Sequence, residues 1–166
     1  MIRLFSYSKK GKNLYFGKKF PEAIKLFNRA IELDPEDYDC WHLRGNCKYY
    51  LEQYEEAIKD LDKAIELNPE FSLSWNFRGN CKYYLEQYEE AIKDLDKAIE
   101  LDPDTSGTIW GLKGGCKYFL EQYEEAIKDL DKAIELDPEC STSWNFRGHS
   151  YLKNLNYKLS KKDYKK

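Results

Sequence analysis

Residues 47–67 read CKYYLEQYEEAIKDLDKAIEL, and the same string returns unchanged at residues 81–101. It returns again at residues 116–136 with one change, Phe119 in place of Tyr. Other markers keep step with it. Trp41, Trp75, Trp110 and Trp144 are each followed four residues later by Gly45, Gly79, Gly114 and Gly148. Pro35, Pro69, Pro103 and Pro138 close successive units. The spacings are 34, 34 and 35, so one residue is inserted between Asp104 and Ile109. Self-similarity at such a period marks a stacked repeat architecture.

Each unit reads as two helices. In the second, Tyr54, Ala57, Ile58, Leu61, Ala64 and Ile65 recur at helical spacing and form one apolar stripe. Glu55 and Glu56 sit in its first turn, where the helix dipole favours negative charge. Asn68-Pro69 ends it, because proline disfavours helical geometry in the residue before it. In the middle unit the first helix is expected over about 73–85, with Ser72 as its cap. Neither helix buries its stripe alone, so stability comes from stacking neighbour on neighbour.

The pattern Trp-x3-Gly-x8-Tyr-x2-Ala-x3-Leu-x2-Ala-x4-Pro resembles the tetratricopeptide repeat. Trp41, Gly45, Tyr54, Ala57, Leu61, Ala64 and Pro69 carry it in the second unit. A divergent first unit carries it through Gly11, Phe20, Ala23, Phe27, Ala30 and Pro35. A worn fifth carries it through Trp144, Gly148, Tyr151 and Tyr157, then loses it at Ser160. The resemblance implies an all-α, right-handed superhelical solenoid of stacked antiparallel helix pairs. On this reading residues 1–166 form one array, with repeats at about 4–37, 38–71, 72–106 and 107–140 and a degenerate capping repeat at 141–166. Two departures stand out. Arg44, Arg78, Lys113 and Arg147 replace the family's usual leucine before the glycine, and Glu52, Glu86 and Glu121 replace a small residue in the inter-helix turn.

The family resemblance implies that first helices line a concave face. The residues one after each Trp, one after each Gly and four after each Gly share a helix face. They are His42, Asn46 and Tyr49; Asn76, Asn80 and Tyr83; Gly111, Gly115 and Tyr118; Asn145, His149 and Leu152. A neutral face of amides and phenols suits the backbone of an extended peptide. The three tyrosines fit equally well as packing between adjacent first helices. Some family members clamp a C-terminal carboxylate with Lys, Asn and Arg on these helices. Here Asn46 and Asn80 match the asparagine places, but the basic places hold His42, Asn76, Gly111 and Gly115. Weak preference for a free acidic C-terminus follows. Gly111 and Gly115 break the copying and imply either a recess for a ligand side chain or, more simply, close helix approach.

Composition narrows the function classes. The net charge is −3, yet residues 1–21 hold six basic groups and no acid, residues 147–166 hold seven against Asp163, and the rest sums to −15. An acidic body repels nucleic-acid phosphates. No stretch approaches the length of a membrane span, and the start lacks the apolar core of a secretory signal, so a cytoplasmic protein is expected. The cysteines Cys40, Cys47, Cys81, Cys116 and Cys140 are odd in number and lack zinc-site spacing. Cys47, Cys81 and Cys116 read as small packing residues, whereas Cys40 and Cys140 lie near turns as accessible thiols. Two histidines about three repeats apart offer no catalytic pair. The expectation is a scaffold or adaptor with a protein or peptide partner. Catalytic residues, cofactor and metal are none, and no nucleic acid or membrane partner is expected; the alternatives are a self-assembling structural repeat protein, its basic ends meeting the acidic body of a neighbour in weak self-association, or a regulatory module of a larger protein.

Overall fold

The computed structural model describes the backbone of residues 2–103 and 107–163 and the side chains of residues 6–103 and 107–155. Residues 104–106, beside the expected insertion, lie outside the described residues, as do the side chains of Tyr157 and Ser160. Among the described residues there are nine α-helices and no strand. They are α1 (Ile2–Phe16), α2 (Phe20–Leu33), α3 (Tyr38–Tyr50), α4 (Tyr54–Leu67), α5 (Ser72–Tyr84), α6 (Tyr88–Leu101), α7 (Gly107–Phe119), α8 (Tyr123–Leu136) and α9 (Ser141–Asp163). Helices of one pair are joined by three residues, which forces them antiparallel. None of the described helices is long and apolar enough to cross a membrane.

The helices form two compact units, residues 1–86 and 87–166. In the first, α1 packs on α2, α2 on α3, α3 on α4 and α4 on α5. In the second, α6 packs on α7, α7 on α8, and α9 on both α7 and α8. The predicted stripe forms the core: Ala57, Leu61 and Ala64 of α4, and Ala126, Leu130 and Ala133 of α8, are fully buried. Glycine permits the close approach within a pair. A Cβ placed on Gly45 would come within 2.9 Å of Leu61 Cγ, and one on Gly114 within 2.6 Å of Leu130 Cγ.

Turns and caps differ in detail from the sequence reading. Helix α5 begins at Ser72 itself, and its cap position is Phe71, which offers no side-chain bond. Asp37 is the true side-chain cap in the preceding pair, accepting from the amides of Asp39 and Cys40. In the turn after α3, Glu52 has a left-handed backbone (φ 60°). Its amide reaches Tyr49 O and that of Gln53 reaches Lys48 O, each at 2.9 Å. That is the Schellman pattern, whose left-handed residue is usually glycine. Lys18 and Glu121 repeat it at φ 56° and 60°.

Candidate functional site

The first helices bring the predicted face together in each unit, and much of it is packing. In the first unit His42 and Asn46 of α3 are only 3% and 1% exposed. His42 Nδ1 lies 3.0 Å from Ser74 Oγ of α5, and Asn46 Nδ2 donates to His42 Nε2 at 2.9 Å. That donation leaves the ring proton on Nδ1, facing Ser74. Burial holds the imidazole neutral and its pKa down to about 4, with Asp39 pulling weakly the other way. Asn46 Oδ1 is buried without a hydrogen-bond partner. Asn80 Nδ2 donates to Asn76 O and Oδ1, both at 2.9 Å, along half-buried α5. Tyr49 is half-buried against Tyr54, Phe77 and Tyr84, with ring centroids 5.5–6.0 Å away. Burial, then Tyr84, raises its phenol pKa. Tyr83 is half-buried beside Tyr84.

In the second unit Gly115 is buried and Gly111 is half-buried. A Cβ on Gly111 would come 2.7 Å from Ser143 Oγ of α9. The side chain of Ser143 therefore occupies the recess, and close helix approach is the reason for glycine there. Tyr118 packs on Phe146 at 5.4 Å and near His149 at 6.3 Å. Asn145, His149 and Leu152 on α9 are exposed. The same contact recurs inside each unit. The residue after a Trp meets the residue before the next Trp, as His42 meets Ser74 and Gly111 meets Ser143.

The residues opposite that face behave as structural cations. Arg44 Nε and Nη2 donate to both oxygens of buried Asp60 at 2.8 and 2.6 Å, and Lys48 Nζ joins at 2.7 Å. In the second unit Lys117 meets Asp129 at 2.6 Å and Lys113 meets Asp96 at 2.6 Å. The basic residue just before each glycine also covers a Trp ring: Arg44 lies over Trp41 at 4.7 Å, Lys113 over Trp110 at 4.9 Å and Arg147 over Trp144 at 4.4 Å. Cys40 is not an accessible thiol. It is fully buried, its Sγ 3.1 Å from Asp37 Oδ2, and burial pushes its pKa up to about 12. Cys140 is half-buried.

An exposed aromatic row was missed by the sequence reading. Five residues after each Gly stand Phe16, Tyr50 and Tyr84 in the first unit and Phe119 in the second. Tyr50 and Tyr84 are 50% and 52% exposed. Each is held flat by the aromatic that opens the preceding second helix. Phe20 stacks on Tyr50 at 4.8 Å, Tyr54 on Tyr84 at 5.0 Å and Tyr88 on Phe119 at 5.0 Å, all within 12° of parallel. A cavity of about 390 Å³ opens between Tyr15, Phe16, Lys18, Phe20 and Tyr50. The sequence signal was the doubled aromatic, Tyr49-Tyr50 and its copies, whose second member serves no packing stripe.

Residues 38–71, 72–105 and 108–140 match the tetratricopeptide repeat. Residues 20–47 match the protein prenyltransferase alpha subunit repeat. Comparison with curated protein sequences finds no match. Among solved structures, MamA 41-end from Desulfovibrio magneticus RS-1 has a TM-score of 0.86 at 20% identity, covering 98% of this chain and 92% of that one. YrrB, a TPR protein with an unusual peptide-binding site, has a TM-score of 0.80 at 23% identity, covering 90% and 77%. The first TPR of Spaghetti (RPAP3), bound to the HSP90 peptide SRMEEVD, has a TM-score of 0.60 at 25% identity, covering 62% and 82%. The first two likenesses show a shared fold.

Proposed function

Because the chain belongs to the tetratricopeptide repeat family, we propose that it is a cytoplasmic, non-enzymatic interaction scaffold whose first helices hold an extended segment of a partner protein. The observation that carries this reading is the exposed aromatic row Phe16, Tyr50 and Tyr84, in which Tyr50 and Tyr84 are ring-stacked on Phe20 and Tyr54. Such rings offer flat apolar area that costs little entropy to order, which is what recognition surfaces use. The amides of Asn76 and Asn80, half-buried beside the row, supply donors and acceptors for a peptide backbone. His42 and Asn46 contribute by holding α3 against α5 rather than by touching the ligand.

The test is peptide binding to the full chain by fluorescence anisotropy, using extended peptides selected on it from a random library. Tyr50→Ala and Tyr84→Ala are each expected to weaken binding by about tenfold or more, the loss of one desolvated aromatic contact. Selected peptides that bind both variants as tightly as the parent would overturn the reading. A second expectation concerns the terminus. The SRMEEVD peptide with a free and with an amidated C-terminus should differ by less than about threefold, because no lysine or arginine stands at the carboxylate-holding places. A large loss on amidation would show that a carboxylate clamp exists after all.

A further inference from the structure

The last described helix lacks the cover that its copies have. In three helix pairs, the second helix seats a large side chain on the glycine of the first: Phe27 on Gly11, Leu61 on Gly45 and Leu130 on Gly114, each so close that a Cβ would come within 3.0 Å. Around Gly148 of α9, a Cβ would meet nothing within 4 Å. Trp144 and Tyr151, one turn before and after it on the same face, are exposed, and so is Leu155 further on. Among the described residues no second helix folds back onto this face. Helices α3, α5 and α7 end five residues after their glycine, whereas α9 passes the equivalent residue 153 and continues to Asp163.

We propose that the Gly148 face of α9 is a docking site for an acidic amphipathic helix of another protein, seated as α4 sits on α3 and α8 on α7. The internal pairs define the occupant's chemistry. It presents a leucine and a small residue to Gly148, as Leu61 and Ala57 do to Gly45. It also presents an acid just before that leucine, the place of Asp60 and Asp129. In α3 and α7 that acid is held by Lys48 and Lys117; on α9 the equivalent donor is the Tyr151 hydroxyl. Charge decides between occupants. Residues 147–163 hold Arg147, Lys153, Lys158, Lys161 and Lys162 against Asp163 alone. A second α9 would be repelled, while a helix with the balance of α8, five acids to two lysines, would be attracted.

The probe is a fluorescein-labelled synthetic peptide of sequence YEEAIKDLDKAIEL, titrated with the full chain. Saturable binding is expected, with a gain of helical circular dichroism on the peptide. The variant Gly148→Leu fills the seat. It should weaken binding by at least about tenfold, while thermal unfolding stays unchanged or rises, because the position is open and leucine favours helix. A peptide with its leucine at position eight replaced by Glu should bind no better than a scrambled control. Tyr50→Ala and Tyr84→Ala should leave this binding intact, which separates it from the peptide-holding row. Equal binding by Gly148→Leu and the parent, or no saturable binding, would overturn the proposal. So would a dimer of the chain alone that Gly148→Leu dissolves in sedimentation equilibrium, since the occupant would then be a second copy.

Discussion

Glu52 and Glu121 hold a left-handed backbone that L-residues with a Cβ adopt at a cost. The Schellman turn imposes it, because the amides of Glu52 and Gln53 must reach carbonyls of the helix just ended. Glu52→Gly is therefore expected to raise the unfolding free energy by about 1 kcal/mol, read by urea unfolding, whereas Glu52→Ala keeps the Cβ and gains nothing. The departure from a small residue was visible in the sequence; the sign of its effect needed the φ angle. His42 gives a second prediction. Its folded pKa, about 4, lies below the ordinary 6.5 because burial disfavours the cation. Below pH 6.5 the unfolded chain binds a proton that the folded chain refuses, so stability is lost as pH falls from 6.5 towards 4. At pH 5 the loss from this group should reach about 2 kcal/mol relative to pH 7.5. The difference between the parent and His42→Gln isolates it from the carboxylates, and a parent that loses no more than the variant would contradict it. For the thiols, Cys40, Cys47, Cys81 and Cys116 are fully buried and pushed up to about 12. They should react with a disulfide reagent only on unfolding, and Cys140 should react first in the native protein.

Between elements, the same basic position finds its acid in two ways. Arg78 and Arg147 reach back to Asp62 and Asp131 on the preceding second helix. Arg44 has no such acid behind it, because the place holds Asn28. It donates to Asn28 at 2.7 Å and turns its fork onto Asp60 of its own pair. Asp60 then carries Arg44 and Lys48 together in a buried setting. Removing it strands two cations, so Asp60→Ala should cost about 3 kcal/mol, measured by denaturant unfolding. The Trp indoles show how spacing enters. Trp41, Trp75 and Trp144 donate to the carbonyl of a proline six residues earlier, at 2.8–2.9 Å. Pro103 stands seven residues before Trp110, and the buried Trp110 Nε1 has no partner among the described residues. The one-residue insertion thus exacts a hydrogen bond.

Across the whole chain, copying of sequence carries copying of energetics. Leu61 and Leu130 are fully buried on Gly45 and Gly114 in near-identical settings. Leu61→Ala and Leu130→Ala should each cost about 3 kcal/mol, and a large inequality would mean that one copy relaxes around the cavity where the other does not. The repeat period, the helix pairs, the buried stripe of Ala57, Leu61 and Ala64 and the family were all legible in residues 47–67 and their copies, because helix periodicity and close packing constrain every turn of such a unit. The face around the binding residues was legible only as a face. Sequence spacing places His42, Asn46 and Gly111 on one side of a helix, but it does not say how near the next first helix comes. The tertiary structure decided that Ser74 and Ser143 close over that side while Tyr50 and Tyr84, one residue further round, stay half in solvent. It also decided that Gly148 lies bare. The sequence by itself determined the unit and its stripe, since those depend on neighbours along one helix. Exposure depends on the distance between helices, and that is set only when the units pack.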